Sequence, residues 1–381
     1  MEYRDSPEEA AFRAGLRAWL AEHVPTEHVE WLDLKAADRA LRAWQRSLYD
    51  AGYMGLTWPE AYGGRGLSPV YDAILNDEAG RLAHCPPIPI IGHIGRAIYT
   101  HGTHEQKEQF LRPILTGEVR WAQGFSEPEA GSDIASLRTR GELVGDRYVV
   151  NGQKMWTSYA PVADWCLLLV RTDPDVPRHH GISCLLTRMD VPGLTAQSLR
   201  LATGEGETGL VFLDDVEIPV SQMLGGPGEG WHIAMTTLSH ERGPANQGYL
   251  AVYGRKLRQA QELAERTGVA DRDDVRKRLA DAYVRGELLR LGALEQLSSE
   301  LGGGGPGPSG SVVKLLWTDA AQVIDRLLVD LAGPSAVDGD DVPALHEYLA
   351  SRQVSVYGGT SQIQKNILAT QVLGLPRARR A

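Results

Sequence analysis

Cysteine is scarce. There are three in 381 residues, Cys85, Cys166 and Cys184, and no two stand in CxxC spacing. An odd, scattered set excludes a disulfide framework and a cysteine-built zinc site, so three buried thiols are expected. Eleven histidines are present, but His179 and His180 are adjacent, and neighbours in sequence cannot share a helix face as the pair in HExxH does. No metal is expected. Basic charge is also in deficit: 39 Lys and Arg against 49 Asp and Glu give a formal net charge of −10. That excludes nucleic acid as a principal partner, because phosphate binding needs a basic surface. It leaves room for a local basic pocket that takes one phosphorylated ligand. No run approaches the roughly 18 uncharged apolar residues of a membrane span. Residues 1–9 are acidic and polar, unlike a signal or transit peptide, and the expected location is cytoplasmic.

What is present is enough apolar chain, 43% of residues, for a large core and two or three domains. Residues 1–120 read as helical. Ser6-Pro7-Glu8-Glu9 carries a capping box with proline at the first helical position, and Phe12, Leu16, Trp19 and Leu20 follow at helical spacing. Pro59 and the glycines of Tyr62-Gly63-Gly64-Arg65-Gly66 open a loop, and Thr103 starts another helix that runs to about Leu115. From 121 to 230 the texture is β. Arg147–Val150, Trp165–Val170, Leu210–Leu213 and Val216–Ile218 are short strand-like runs between turns, the pattern of a compact barrel or sandwich. From 231 to 381 the chain is helical again, with helices over Arg255–Arg266, Asp273–Leu301 and Ser311–Leu331 and a flexible break at Gly302–Gly310.

Three segments have residue types suited to chemistry. Gln123-Gly124-Phe125-Ser126-Glu127-Pro128-Glu129-Ala130-Gly131-Ser132-Asp133 ends a strand in a turn of backbone N–H groups and small hydroxyls, and Gly131 allows close backbone approach. The same pattern also fits a structural Asx or ST turn. In Gly152-Gln153-Lys154-Met155-Trp156-Thr157-Ser158 an indole beside hydroxyls suits stacking on an aromatic cofactor; a core tryptophan is the commoner meaning. Tyr357-Gly358-Gly359-Thr360-Ser361-Gln362-Ile363-Gln364 sets two glycines before a helix N-cap, where free N–H groups suit an anionic or carbonyl ligand, or simply a capped helix.

In this order and spacing the three segments resemble the acyl-CoA dehydrogenases. Further motifs extend the resemblance over nearly the whole chain: Trp58-Pro59-Glu60-x-Tyr62-Gly63-Gly64, Gly102-Thr103-x-Glu105-Gln106-Lys107, Thr116-Gly117-Glu118 and Asp215-Val216-x-Ile218-Pro219. The resemblance implies an α+β fold: an N-terminal helical domain (1–120), a central β-barrel-like domain (121–230) and a C-terminal four-helix bundle (231–381). It implies FAD held by Gln123, Phe125, Ser126, Gly131, Trp156, Ser158, Tyr357, Thr360 and Gln362. Phe125 and Ser126 are assigned to the isoalloxazine edge, Trp156 to stacking and Ser158 to the N5 side. Ser132 is assigned to the pantetheine arm.

Two departures carry information. Many members have the catalytic base in Tyr-Glu-Gly-Thr, where this chain reads Tyr357-Gly358-Gly359-Thr360. Members of the isovaleryl and long-chain type carry the base as Glu-Arg on a C-terminal helix, and here His240-Glu241-Arg242-Gly243-Pro244 matches that position. Glu241 is therefore the expected base, with Arg242 beside it toward the substrate and Gly358 offering a backbone N–H to the thioester oxygen; a surface salt bridge is the plainer meaning of Glu241-Arg242. The absent carboxylate also leaves room for a bulky or α-branched acyl group. The second departure is that the cross-subunit segments Arg-x-x-Phe-Gly and Gly-Gly-x-Gly-Tyr are missing, replaced by Ala264–Val269 and Leu331–Ser335. Pro306–Ser311 with Lys314-Leu315-Leu316-Trp317 is similar to actinobacterial members, some of which act on steroid side chains and some of which pair two different subunits.

The expected activity is FAD-dependent α,β-dehydrogenation of an acyl thioester to the trans-2-enoyl thioester. The substrate is an acyl-CoA or an acyl carrier protein thioester, an electron-transfer flavoprotein accepts the electrons, and the assembly is a homo- or hetero-oligomer. The competing readings are a non-catalytic partner subunit and a flavin oxidase or monooxygenase on the same fold.

Overall fold

A computed structural model describes residues 4–27, 29–88, 92–240, 247–303 and 307–376. Helix α1 (Pro7–His23) begins with the expected capping box: Ser6 Oγ accepts the Glu9 N–H at 3.2 Å while the Glu9 carboxylate accepts the Ser6 N–H at 2.7 Å. Asp33 caps α2 (Leu34–Asp50), and Pro69 opens α3 (Pro69–Gly80). After α4 (Gly92–His101), a Thr103–Gln106 capping box starts α5 (His104–Thr116), which ends on Gly117 in the left-handed region.

Eight strands follow: β1 (Trp121–Gly124), β2 (Arg140–Val144), β3 (Arg147–Ser158), β4 (Trp165–Arg171), β5 (Ile182–Arg188), β6 (Leu194–Leu199), β7 (Thr208–Pro219) and β8 (Met223–Leu224). They form one sheet in the order β6-β7-β3-β2-β4-β5-β8, with β1 parallel to β4. β4 is buried on both faces. Cys166, Leu168 and Val170 join Tyr148, Val150, Val211, Leu213 and Ile218 inside the curl of the sheet, while Leu167 and Leu169 pack outward on Ile98, Phe110 and Ile233. This double-sided burial sets β4 between the inner face of the sheet and the helices α4, α5 and the one that carries Ile233. The runs 210–213 and 216–218 belong to one strand, bent where Asp215 takes φ 49° and exchanges two 2.9 Å hydrogen bonds with Asn151.

The remaining helices are α6 (Gly230–His240), α7 (Gln247–Arg266), α8 (Asp273–Leu301), α9 (Ser309–Ala332), α10 (Ser335–Asp338), α11 (Val342–Arg352) and α12 (Ser361–Ile367). The order is helical, β, helical, as expected for the α+β class. Two compact units result. One holds α2, α4, α5, α6 and the whole sheet; the other holds α1, α3 and α7 to α12. In the second unit α7, α8, α9 and α11 form the bundle, around Tyr253, Ala260, Leu289, Ile324 and Leu328. Cys166 and Cys184 are buried as expected, but Cys85 is only half-buried in its loop.

Glu78 ties α3 to α1. Its buried carboxylate accepts Arg17 at 2.8 and 2.9 Å and Arg13 at 3.0 Å. Burial acts to raise this carboxyl, but the two arginines outweigh it and hold it below its ordinary 4.5. The group therefore stabilises the fold fully above its unfolded value and loses that contribution as pH falls through the lower folded one. Glu78→Gln is expected to cost about 1–3 kcal/mol at neutral pH. Melting curves across pH check this: the gap to wild type should be widest near neutrality and close in acid.

Candidate active site

β1 delivers the chain into the first site segment. The Phe125 ring lies in the core beside Leu167 and Leu169, so the backbone is what this residue offers outward. The Ser126 carbonyl accepts the Met155 N–H at 2.9 Å, which fastens the turn to β3. Glu127 and Ala130 exchange both backbone hydrogen bonds at 3.1 Å and close the loop. Gln123 and Ser126 are half-buried, and Gly131 and Ser132 are exposed. A Cβ built on Gly131 meets nothing within 4 Å. Packing within the chain therefore does not demand glycine there.

Beneath this turn is a pair that the sequence segments contain but give no role. Lys154 on β3 is fully buried, and its Nζ donates to Glu127 Oε1 at 2.8 Å and to the Phe125 carbonyl at 3.3 Å. The Glu127 carboxylate also accepts Arg138 N at 2.7 Å, Thr139 N at 2.9 Å and Thr139 Oγ1 at 2.6 Å. Burial acts to raise the Glu127 carboxyl, but Lys154 and these donors hold it below its ordinary value; burial also pulls the Lys154 ammonium down, against the pull of Glu127. The signal available in the sequence was parity. Lys154 shares the inward phase of Tyr148 and Val150, and a charge in that phase needs a buried partner.

Two residues on, Trp156 sits at φ 61°, on a stretch where the β3–β7 register shifts between Lys154 and Thr157. A bulky residue in the left-handed region stores on the order of 1–3 kcal/mol. The conformation leaves the indole 55% exposed, and Ser158 is exposed beside it. Thr157 between them is buried, and its Oγ1 has no hydrogen-bond partner among the described residues. An indole this exposed is not a core tryptophan.

The third segment belongs to the other unit. Lys314 and Thr318 of α9 both donate to the Val354 carbonyl, and Lys314 Nζ lies 4.4 Å from the centre of the Tyr357 ring. Gly358 and Gly359 follow at φ 62° and 87°. Gln364, fully buried and likewise given no role by its segment, donates to the Gly358 carbonyl at 2.8 Å. A Cβ on Gly359 would stand 2.5 Å from the Gln364 amide nitrogen, so glycine is required there. Thr360 caps α12 by accepting the Ile363 N–H at 3.1 Å, and Gln362 is exposed. Glu241 and Arg242 lie outside the described residues. Among the described residues no group of three or more His, Cys, Asp and Glu could hold a metal ion, and no helix is long and apolar enough to cross a membrane.

This fold and these segments define an acyl-CoA dehydrogenase. The family models described as the N-terminal, middle and C-terminal domains of acyl-CoA dehydrogenase match residues 6–118, 122–216 and 228–373. Acyl-CoA dehydrogenase IpdE1 of Mycobacterium tuberculosis is 38% identical over 96% of this chain and 97% of its own length, and FadE26 of the same organism is 32% identical over 98% and 99%. Two solved structures, the Tcur3481-Tcur3483 steroid ACAD and the ChsE4-ChsE5 complex from Mycobacterium tuberculosis, each align with a TM-score of 0.85. Identities are 30% and 32%, over 99% of this chain and 100% of theirs. The chain belongs to the acyl-CoA dehydrogenase family, a family of FAD-dependent oxidoreductases.

Proposed function

We propose that this chain oxidises the Cα–Cβ bond of an acyl-CoA to the trans-2-enoyl-CoA, and that its acyl group is bulky, of the steroid class for which one structural neighbour is named. The observation that carries the flavin reading is the strained, exposed Trp156 beside Ser158, on a strand fastened to the Ser126 turn. Trp156 offers a stacking face. Ser126, Ser158, Gln123 and the backbone of Phe125 offer polar contacts to the ring, with Gly131 leaving room for the ligand. Tyr357, Thr360 and Gln362 offer further contacts to the cofactor, and Ser132 a contact to the pantetheine arm. FAD, when bound, supplies the acceptor for the β-hydride. Glu241 takes the α-proton, Arg242, next in sequence, contacts the substrate, and the Gly358 N–H donates to the thioester oxygen as enolate charge develops. An electron-transfer flavoprotein then collects the electrons.

Gly358 supports the bulky-substrate reading. It has no side chain where many family members carry a carboxylate, and at φ 62° an L-residue would be strained. A panel of acyl-CoAs from short straight chains to steroid side-chain thioesters, assayed with an artificial electron acceptor, tests it. Turnover confined to short straight chains would reject the substrate class. The assembly we propose is a hetero-oligomer. It is favoured by the absence of both cross-subunit segments and by the two-component names of both structural neighbours.

A further inference from the structure

The buried pair Lys154–Glu127 is not accounted for by stability. Two charges inside a core lose their hydration, and a well-packed apolar pair of the same volume is often as stable or more so. The pair is nonetheless well partnered: the carboxylate takes four donors, and the ammonium donates to the carboxylate and to a backbone carbonyl. All of these bonds converge on one segment. Lys154 holds the Phe125 carbonyl from below, Glu127 anchors the far side of the turn to residues 138 and 139, and Met155 holds the Ser126 carbonyl.

The geometry points to a positioning role for Lys154 and Glu127: the buried pair sets the backbone of the Phe125–Ser126 turn at the place where it meets the flavin ring. An apolar pair would fill the same volume but would leave the Phe125 carbonyl without its donor and the Arg138 and Thr139 N–H groups without their acceptor. The turn would then be held only by its backbone bonds, Met155 to Ser126 and Glu127 to Ala130. The cation also has a second link to the site, because Lys154 and Trp156 are on one strand, separated only by Met155, whose N–H holds Ser126. A shift of Lys154 therefore moves the turn and the indole together.

This inference rests on the reading that FAD docks on Ser126 and Trp156. The test uses the full chain, purified with whatever subunit accompanies it. The double variant Glu127→Gln/Lys154→Met removes both charges together, so no buried charge is left unpaired. It is expected to fold but to melt below wild type, because the Phe125 carbonyl loses its donor, while the FAD dissociation constant rises roughly tenfold, the weight of one or two lost hydrogen bonds. The visible circular dichroism of the bound flavin should change with it, a signature that a merely structural role would not move. Thr139→Val removes one donor from Glu127 without adding volume and should weaken FAD about two- to fivefold in the same direction. Should the double variant fail to fold, Thr139→Val carries the test alone. Unchanged FAD affinity and unchanged flavin dichroism in a folded variant would overturn the positioning role while leaving the flavin reading intact. A wild-type protein that binds no FAD would instead remove the flavin reading, and the inference with it.

Discussion

Glu241→Gln is expected to slow flavin reduction by an acyl-CoA on the order of 10²–10⁴-fold, the usual loss when general-base assistance is removed. The substitution keeps shape and hydrogen bonding and removes only the basic oxygen. The expectation rests on two positions. At 358 there is no side chain, and the backbone is set at φ 62° with its carbonyl held by Gln364. At 241 the sequence places a carboxylate directly before Arg242, the alternative base position of the family. FAD content should remain at wild-type level, which separates lost chemistry from a lost cofactor. Anaerobic single-turnover mixing measures the step directly. Reduction at near wild-type rate would reject Glu241 as the base.

The second large effect is on stability. Lys154→Met alone leaves the Glu127 carboxylate buried without its cation, and removing one partner of a buried pair costs about 3–5 kcal/mol. The sign of its pH dependence follows from the group left behind. In the wild type the Glu127 carboxyl is held below its ordinary value, so its contribution is present above the unfolded value and fades as pH falls through the folded one. In the variant only burial and the three remaining donors act, and the loss of Lys154 lets the carboxyl rise. Protonation then relieves the unpaired charge, so the deficit should shrink in acid. Denaturation of wild type and variant at neutral and acidic pH would show it, and a deficit independent of pH would place its cause in packing instead.

Much of the helical fold was legible because its signals are local. The capping box at Ser6–Glu9 forms as written, the helix after Thr103 starts where expected, and the long helix over Asp273–Leu301 has the bounds its pattern implied. The β domain was harder to read. β2, β5 and β6 carry weak or mixed alternation, and β7 looked like two strands because Asp214 and Asp215 interrupt its apolar phase at a bend that only the pairing with Asn151 explains. The same holds at the site. Ser126, Trp156 and Gly358 stand out as residue types in short motifs. Lys154, Glu127 and Gln364 do not, because each acts on a segment through contacts that are distant in sequence or that depend on how a turn folds. Gly152 and the register shift after Lys154 also hide the inward phase of that lysine.

Everything proposed for the site requires that this chain, with any subunit it needs, holds FAD and reduces it with an acyl-CoA. The decisive experiment is anaerobic addition of a steroid side-chain acyl-CoA to the purified protein, with the oxidised flavin band and the product followed together. The band is expected to bleach in step with the trans-2-enoyl-CoA formed. A flavin-loaded protein whose band no acyl-CoA in the panel can bleach would contradict the dehydrogenase function proposed for this chain.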